Sequence, residues 1–86
     1  MTKTTIEHKF AIGQIVWLIM RNRRGLWLVR KKRGFKITHL RFSISPIETE
    51  ALYWFEGHTS RFFEYEKDLF ASLREAQAEC DRLNGV

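Results

Sequence analysis

Residues 21–36 read Arg-Asn-Arg-Arg-Gly-Leu-Trp-Leu-Val-Arg-Lys-Lys-Arg-Gly-Phe-Lys, and they hold eight of the fifteen Lys and Arg residues of the chain and no carboxylate. Cations packed this densely neutralise phosphates or an acidic protein surface, and an aromatic among them adds a ring on which a base can stack. The candidate contact residues are Arg21, Arg23, Arg24, Trp27, Arg30, Lys31, Lys32, Arg33 and Lys36. The competing reading places Trp27 in the core and leaves the cations to solubilise loops. Trp27 and Val29 share one face of an extended segment, and Leu26 and Leu28 share the other. One of these faces is core, and the alternation alone does not choose between them.

Other side chains with chemical potential are poorly arranged for it. Zinc needs four clustered ligands, whereas the chain offers Cys80 and three scattered histidines, His8, His39 and His58. Cys80 falls on the apolar face of a predicted helix, which suits a structural thiol better than a nucleophile. His39 is expected to be a satisfied, partly buried histidine. Glu64, Glu66 and Asp68 are spaced by two, so on a strand they would share a face as a solvated edge. The five glycines are isolated, without a phosphate-binding loop among them. No catalytic residue, metal or other cofactor is expected.

Eighty-six residues make one domain, with residues 1–9 as a flexible polar arm and 10–86 as the folded part. Charge is uneven. Residues 1–47 carry eleven cations against Glu7 alone, and residues 48–86 carry four cations against nine carboxylates. Either an anionic partner meets the basic half or the acidic half folds over it. A single cysteine excludes an internal disulfide and fits a reducing cytosol. The longest apolar run, 15–20, is far below a membrane span of about 20 residues. A cytoplasmic protein with no membrane partner is therefore expected.

The elements that position these residues are mostly strands. The run 15–20 is rich in β-branched and aromatic residues and apolar on both faces, so a strand covered on both sides is predicted. Residues 21–25 form a loop, 26–31 a second strand and 32–34 a turn. A third strand over 35–45 breaks its alternation: Phe35 and Ile37 share one face, and Leu40, Phe42 and Ile44 the other. A bulge or bend near Thr38 and His39 repairs the pattern. Strands over 50–56 and 61–65 follow. Ser72 and Glu75 have capping-box spacing, and Leu73, Ala76, Cys80 and Leu83 fall on one face of a helix over 72–84 that Asn84 and Gly85 stop. The fold class is α+β and mostly β, a five-stranded curled antiparallel sheet with one packed C-terminal helix.

Three motifs carry a resemblance. They are Phe10-x-x-Gly13-Gln14-x-Val16-Trp17, Glu66-x-Asp68-Leu69-Phe70-x-Ser72-x-x-Glu75-Ala76, and Cys80-x-x-Leu83-Asn84. With the meander between them, the chain resembles small uncharacterised proteins of phages and bacterial mobile elements. The resemblance covers roughly residues 10–84 and implies an SH3-like or Tudor-like barrel with a C-terminal helix. It implies no activity, and the basic stretch 21–36 lies outside the shared pattern.

Together these features predict a non-enzymatic binding protein whose basic hairpin engages an anionic partner, foremost nucleic acid, DNA or RNA. The alternative is a protein-interaction module that docks on an acidic surface of a protein or ribonucleoprotein complex, as an inhibitor of a host defence complex of the CRISPR type would. A basic chain argues against a mimic of DNA.

Overall fold

A computed structural model of the chain describes residues 9–57 and 63–85. Six short strands precede a single helix: β1 (Ile15–Val16), β2 (Ile19–Arg21), β3 (Trp27–Val29), β4 (Phe35–Ile44), β5 (Thr49–Phe55) and β6 (Glu64–Tyr65). A 3₁₀ turn (Glu66–Asp68) and α1 (Leu73–Leu83) follow. The strands form a curled antiparallel sheet in the order β1-β4-β5-β6 and a separate β2-β3 hairpin. The expected residues 61–62 of the last strand, and the arm except for Lys9, lie outside the described residues.

The predicted five strands become six because the run 15–20 is not one strand. After Val16, which pairs with Phe35, the chain leaves β4. Trp17 then exchanges two backbone hydrogen bonds with Phe70, both 2.9 Å, and the Leu18 carbonyl accepts from the Arg30 N–H at 2.8 Å. Three different partners in three successive residues turn the chain and end the ladder. Nor is the run covered on both sides: Val16 and Leu18 are buried, whereas Ile15 and Met20 are exposed.

The bulge falls where the alternation predicts it. Ile37 pairs with Phe55, yet His39 pairs with Trp54, so Thr38 is the extra residue of β4. From there Leu40, Phe42 and Ile44 return to the face that Ile37 occupies. His39 is thereby turned outward. It is exposed, with Nδ1 3.1 Å from Thr38 Oγ1, and not the partly buried histidine expected.

The core gathers Phe10, Val16, Leu18, Phe35, Ile37, Tyr53, Phe55 and Leu69. The Phe10 ring meets Tyr53 edge-on, with centroids 5.9 Å apart. The Tyr53 hydroxyl donates to Glu66 Oε1 at 2.9 Å and accepts from the Phe10 N–H at 3.3 Å. Lys9 N–H donates to the same carboxylate oxygen. Burying a side chain the size of Phe10 is worth roughly 1.5–3 kcal/mol, against roughly 1 kcal/mol net for one hydrogen bond. Apolar contact therefore holds this node together, and the hydrogen bonds fix its geometry. Glu64, Glu66 and Asp68 do not share a strand face as expected. Glu64 ends in β6, and the other two enter the 3₁₀ turn, where Glu66 serves the core tyrosine.

The helix begins at its predicted cap: Ser72 Oγ accepts from the Glu75 N–H at 3.1 Å. It packs on β3. Ala76 and Cys80 are fully buried, but Leu73 and Leu83 are 37% and 38% exposed. The four-residue packing face expected for them is thus reduced to two. Three residues of β3 span about 10 Å and eleven residues of helix about 16 Å, so both helix ends overhang the strand. At the C-terminal end Asn84 compensates. Its amide accepts from the Trp27 N–H at 2.8 Å and donates to the Trp27 carbonyl at 3.0 Å, occupying the open edge of β3 as a neighbouring strand would.

Burial, and secondarily the hydrogen bond to Glu66, pushes the Tyr53 phenol from its ordinary 10.0 up to about 12. The unfolded chain therefore loses this proton first. The stability it contributes is complete below pH about 10 and is lost as pH rises toward about 12. Tyr53→Phe should lower stability by about 1 kcal/mol at neutral pH. It should also make the fall in denaturation midpoint between pH 10 and 12 shallower than in the native chain. Parallel curves in chemical denaturation across that window would contradict the assignment.

Candidate nucleic-acid interface

The basic residues fall at the two ends of the β2-β3 hairpin and on the flank of β4. At one end Arg21 closes β2, opposite Trp27, and its Nε–H donates to the Gly25 carbonyl at 3.2 Å. Asn22 builds this turn. Its Oδ1 accepts from the N–H groups of Arg24 and Leu26, both at 2.9 Å, while its own N–H donates to the Leu26 carbonyl at 2.8 Å. An asparagine side chain that satisfies two backbone donors holds the loop in one shape and leaves Arg23 and Arg24 exposed at its tip.

At the other end Arg30, Lys31, Lys32 and Arg33 follow β3 and lead into Phe35. The Arg30 guanidinium and the Lys31 ammonium stand 5.6 and 5.2 Å from the Phe35 ring centroid. Both charged groups thus sit over the ring as cation–π contacts. The turn itself is pinned from beneath. Trp17 Nε1–H donates to the Lys32 carbonyl at 2.9 Å, and Gly34, at φ +77°, sits against Trp17 and Ile15. Lys36 is exposed on β4 opposite Ile15.

Residues 30–33 and Lys36 are therefore brought together, whereas Arg21, Arg23 and Arg24 stand apart from them. The two turns are nine residues apart in sequence, which bounds the gap between them at roughly 30 Å. Among the described residues one ion pair involves these cations, Arg30 with Glu64 at 3.7 Å. The acidic half thus neutralises little of the basic stretch within the described chain.

Trp27 takes the inner face. It is half-buried, held through its backbone by Asn84, and lines a cavity of about 490 Å³ between the hairpin, β6 and α1. Arg30 and Lys67 line it together with Glu64, Asp68 and Glu79, a mixed field that does not favour a polyanion. Leu26 and Leu28 are 48% and 46% exposed, and Met20, paired with Leu28, is 44% exposed. The alternation that left two faces open in the sequence is thus resolved: Trp27 and Val29 point toward the helix, and the leucines point to solvent.

Cys80 lies beneath the helix, fully buried. Burial, with smaller contributions from Asp81 and Glu79, raises its thiol above the usual range. This is the opposite of what a nucleophile needs. Among the described residues no group of His, Cys, Asp and Glu could hold a metal ion. Among them, too, no helix is long and apolar enough to cross a membrane. No protein-family model matches the chain, and no curated protein or solved structure matches it. The resemblance to phage and mobile-element proteins therefore rests on its motif residues alone.

Gly34 is the residue on which the second basic cluster depends. A Cβ there would lie 2.5 Å from Ile15 Cγ2, 2.9 Å from the Val16 carbonyl oxygen and 3.0 Å from Trp17 Cε2. Gly34→Ala should cost about 2–4 kcal/mol, from the left-handed backbone and the clash together. Gly25→Ala meets only the end of the Arg21 side chain, 3.4 Å away, and should cost about half as much or less. Equal losses in thermal denaturation would show that contact at Gly34 contributes nothing. For Cys80, labelling of the native protein by a thiol reagent should be much slower than labelling in denaturant. Cys80→Ala should cost on the order of 1 kcal/mol.

Proposed function

We propose that this protein is a non-enzymatic binding protein that engages nucleic acid through the basic β2-β3 hairpin and the turn that follows it. The observation that carries the reading is the state of the cations. Seven of the eight in residues 21–36 form no ion pair among the described residues, and five of these crown two turns that Asn22 and Trp17 hold in fixed shapes. Like charges held together carry a mutual repulsion that salt only partly screens, and an anionic partner relieves it. We further propose that the curled sheet is a reduced SH3-like barrel. In support, the 3₁₀ turn is followed by the pairing of Phe70 with Trp17, which joins the two ends of the curl.

One observation favours a second reading. Met20, Leu26 and Leu28 form an apolar strip between the two basic clusters, which suits an acidic protein surface with an apolar centre. A salt titration separates the two. With nucleic acid, log K falls linearly with log salt, by about 0.7 per phosphate neutralised on single strands and 0.9 on duplex.

The discriminating variant combines Lys31→Glu, Lys32→Glu and Arg33→Glu. It spares Arg30, whose reversal would set two carboxylates against each other at Glu64. Affinity for duplex and single strands should both fall, with a flatter salt slope and a melting temperature lowered by only a few degrees through loss of the Lys31 contact with Phe35. Oligonucleotide binding that survives the triple change would remove the hairpin as the contact. Binding to a protein that is lost instead with Leu26→Ser and Leu28→Ser would establish the second reading.

A further inference from the structure

The face of the β4-β5-β6 sheet turned away from the core carries rings that the core does not use. The bulge at Thr38 puts His39 opposite Trp54 on this outer face, and Arg41 lies opposite Leu52 in the next row. Tyr65 pairs with Leu52 from the other side. Phe63 lies between Trp54 and Tyr65, with its centroid 5.6 Å from one and 5.5 Å from the other. The three rings form one continuous strip. Phe63 and Tyr65 are 39% and 36% exposed, while the opposite face of β5 buries Ala51, Tyr53 and Phe55. The helix packs on β3 and not over this strip.

Charge selects the occupant. Arg41 is exposed at one border, and the Lys67 ammonium stands 5.6 Å from the Tyr65 centroid at the other. This cation lies over the Tyr65 ring, so a base stacking on that face displaces the ammonium toward its own phosphate. Carboxylates stand at both ends of the strip, Glu50 one row further opposite Ser43 and Glu56 directly after β5, while Glu66 lies beside Tyr65. Rings on a sheet, inclined to one another by 51° and 87° and bordered by cations, suit unstacked bases, since every base has a π-face and needs no particular hydrogen-bond partner. A duplex keeps its bases stacked and cannot use such a surface.

We propose that this strip, Trp54, Phe63 and Tyr65 with Arg41 and Lys67, stacks the bases of single-stranded nucleic acid. The inference rests on the nucleic-acid reading above and makes it specific: the hairpin supplies charge to any strand, and the strip selects unpaired bases.

The test uses a labelled single-stranded oligo-dT and a duplex of equal length, titrated by anisotropy against the native protein, Tyr65→Ala, Tyr65→Phe, Trp54→Ala and the hairpin triple variant. Tyr65→Ala should weaken single-strand binding by roughly 5- to 150-fold and leave duplex binding unchanged. Tyr65→Phe keeps the ring and should bind as the native protein does. Trp54→Ala should act in the same direction, but Trp54 is half-buried, so the more exposed Tyr65 carries the decision if that variant unfolds. Equal losses on both oligonucleotides, or none on either, overturn the proposal. So does a concentration-dependent dimer that Tyr65→Ala abolishes, since the strip would then be covered by a second copy. The hairpin reading fails separately, if the triple variant binds both oligonucleotides as the native protein does.

Discussion

Trp17 is the residue through which the separate parts of this molecule are tied. Its backbone joins the start of the curled sheet to Phe70, just before the helix, by two hydrogen bonds. Its indole N–H holds the Lys32 carbonyl, and its ring backs Gly34. One side chain thus sets where the second basic cluster stands relative to the core. Indole suits the role because it is a large apolar body with one polar tip: the body packs while the tip reaches a carbonyl at the surface. A Phe or Leu in its place could pack, but it could not hold the turn.

Around this anchor the sheet separates two kinds of surface. The inner face closes on Val16, Ile37, Tyr53 and Phe55, all nearly inaccessible to water. Among the described residues the outer faces stay at least partly exposed in two regions, the Met20, Leu26 and Leu28 strip of the hairpin and the Trp54, Phe63 and Tyr65 strip of the main sheet. In a small domain the layers are few, and each sheet has one face more than the core can use. Here the spare faces are apolar or aromatic and bordered by cations. That combination is costly to leave in water.

Much of this was legible in the residues. Helix start and stop follow from local rules, Ser72 with Glu75 and Asn84 with Gly85, and the bulge follows from the phase change between Ile37 and Leu40. Such features need only neighbours in sequence. What sequence reasoning missed depends on distant partners. The break of 15–20 into β1 and β2 is imposed by Phe70 and Arg30. The exposure of Leu73 and Leu83 follows from the shortness of β3, which no helix pattern reveals. Trp54, Phe63 and Tyr65 become a strip only once β5 and β6 are side by side. The alternation of Leu52 with Trp54 against Tyr53 with Phe55 was the available signal, since it leaves one aromatic face of β5 to spare.

The Asn84 amide on the edge of β3 has a consequence during synthesis. A hairpin such as β2-β3 forms in about 1–10 μs, whereas a ribosome adds about 5–20 residues per second. Trp27 and Asn84 are 57 positions apart, so Asn84 is added about 3–11 s after Trp27. For that interval the nascent hairpin shows an unpaired donor and acceptor to every other nascent chain nearby. Arg23, Arg24, Lys31, Lys32 and Arg33 at its two ends give it a positive field that repels another hairpin of the same kind. The charge at the two ends of the hairpin therefore disfavours pairing between unfinished copies of the chain.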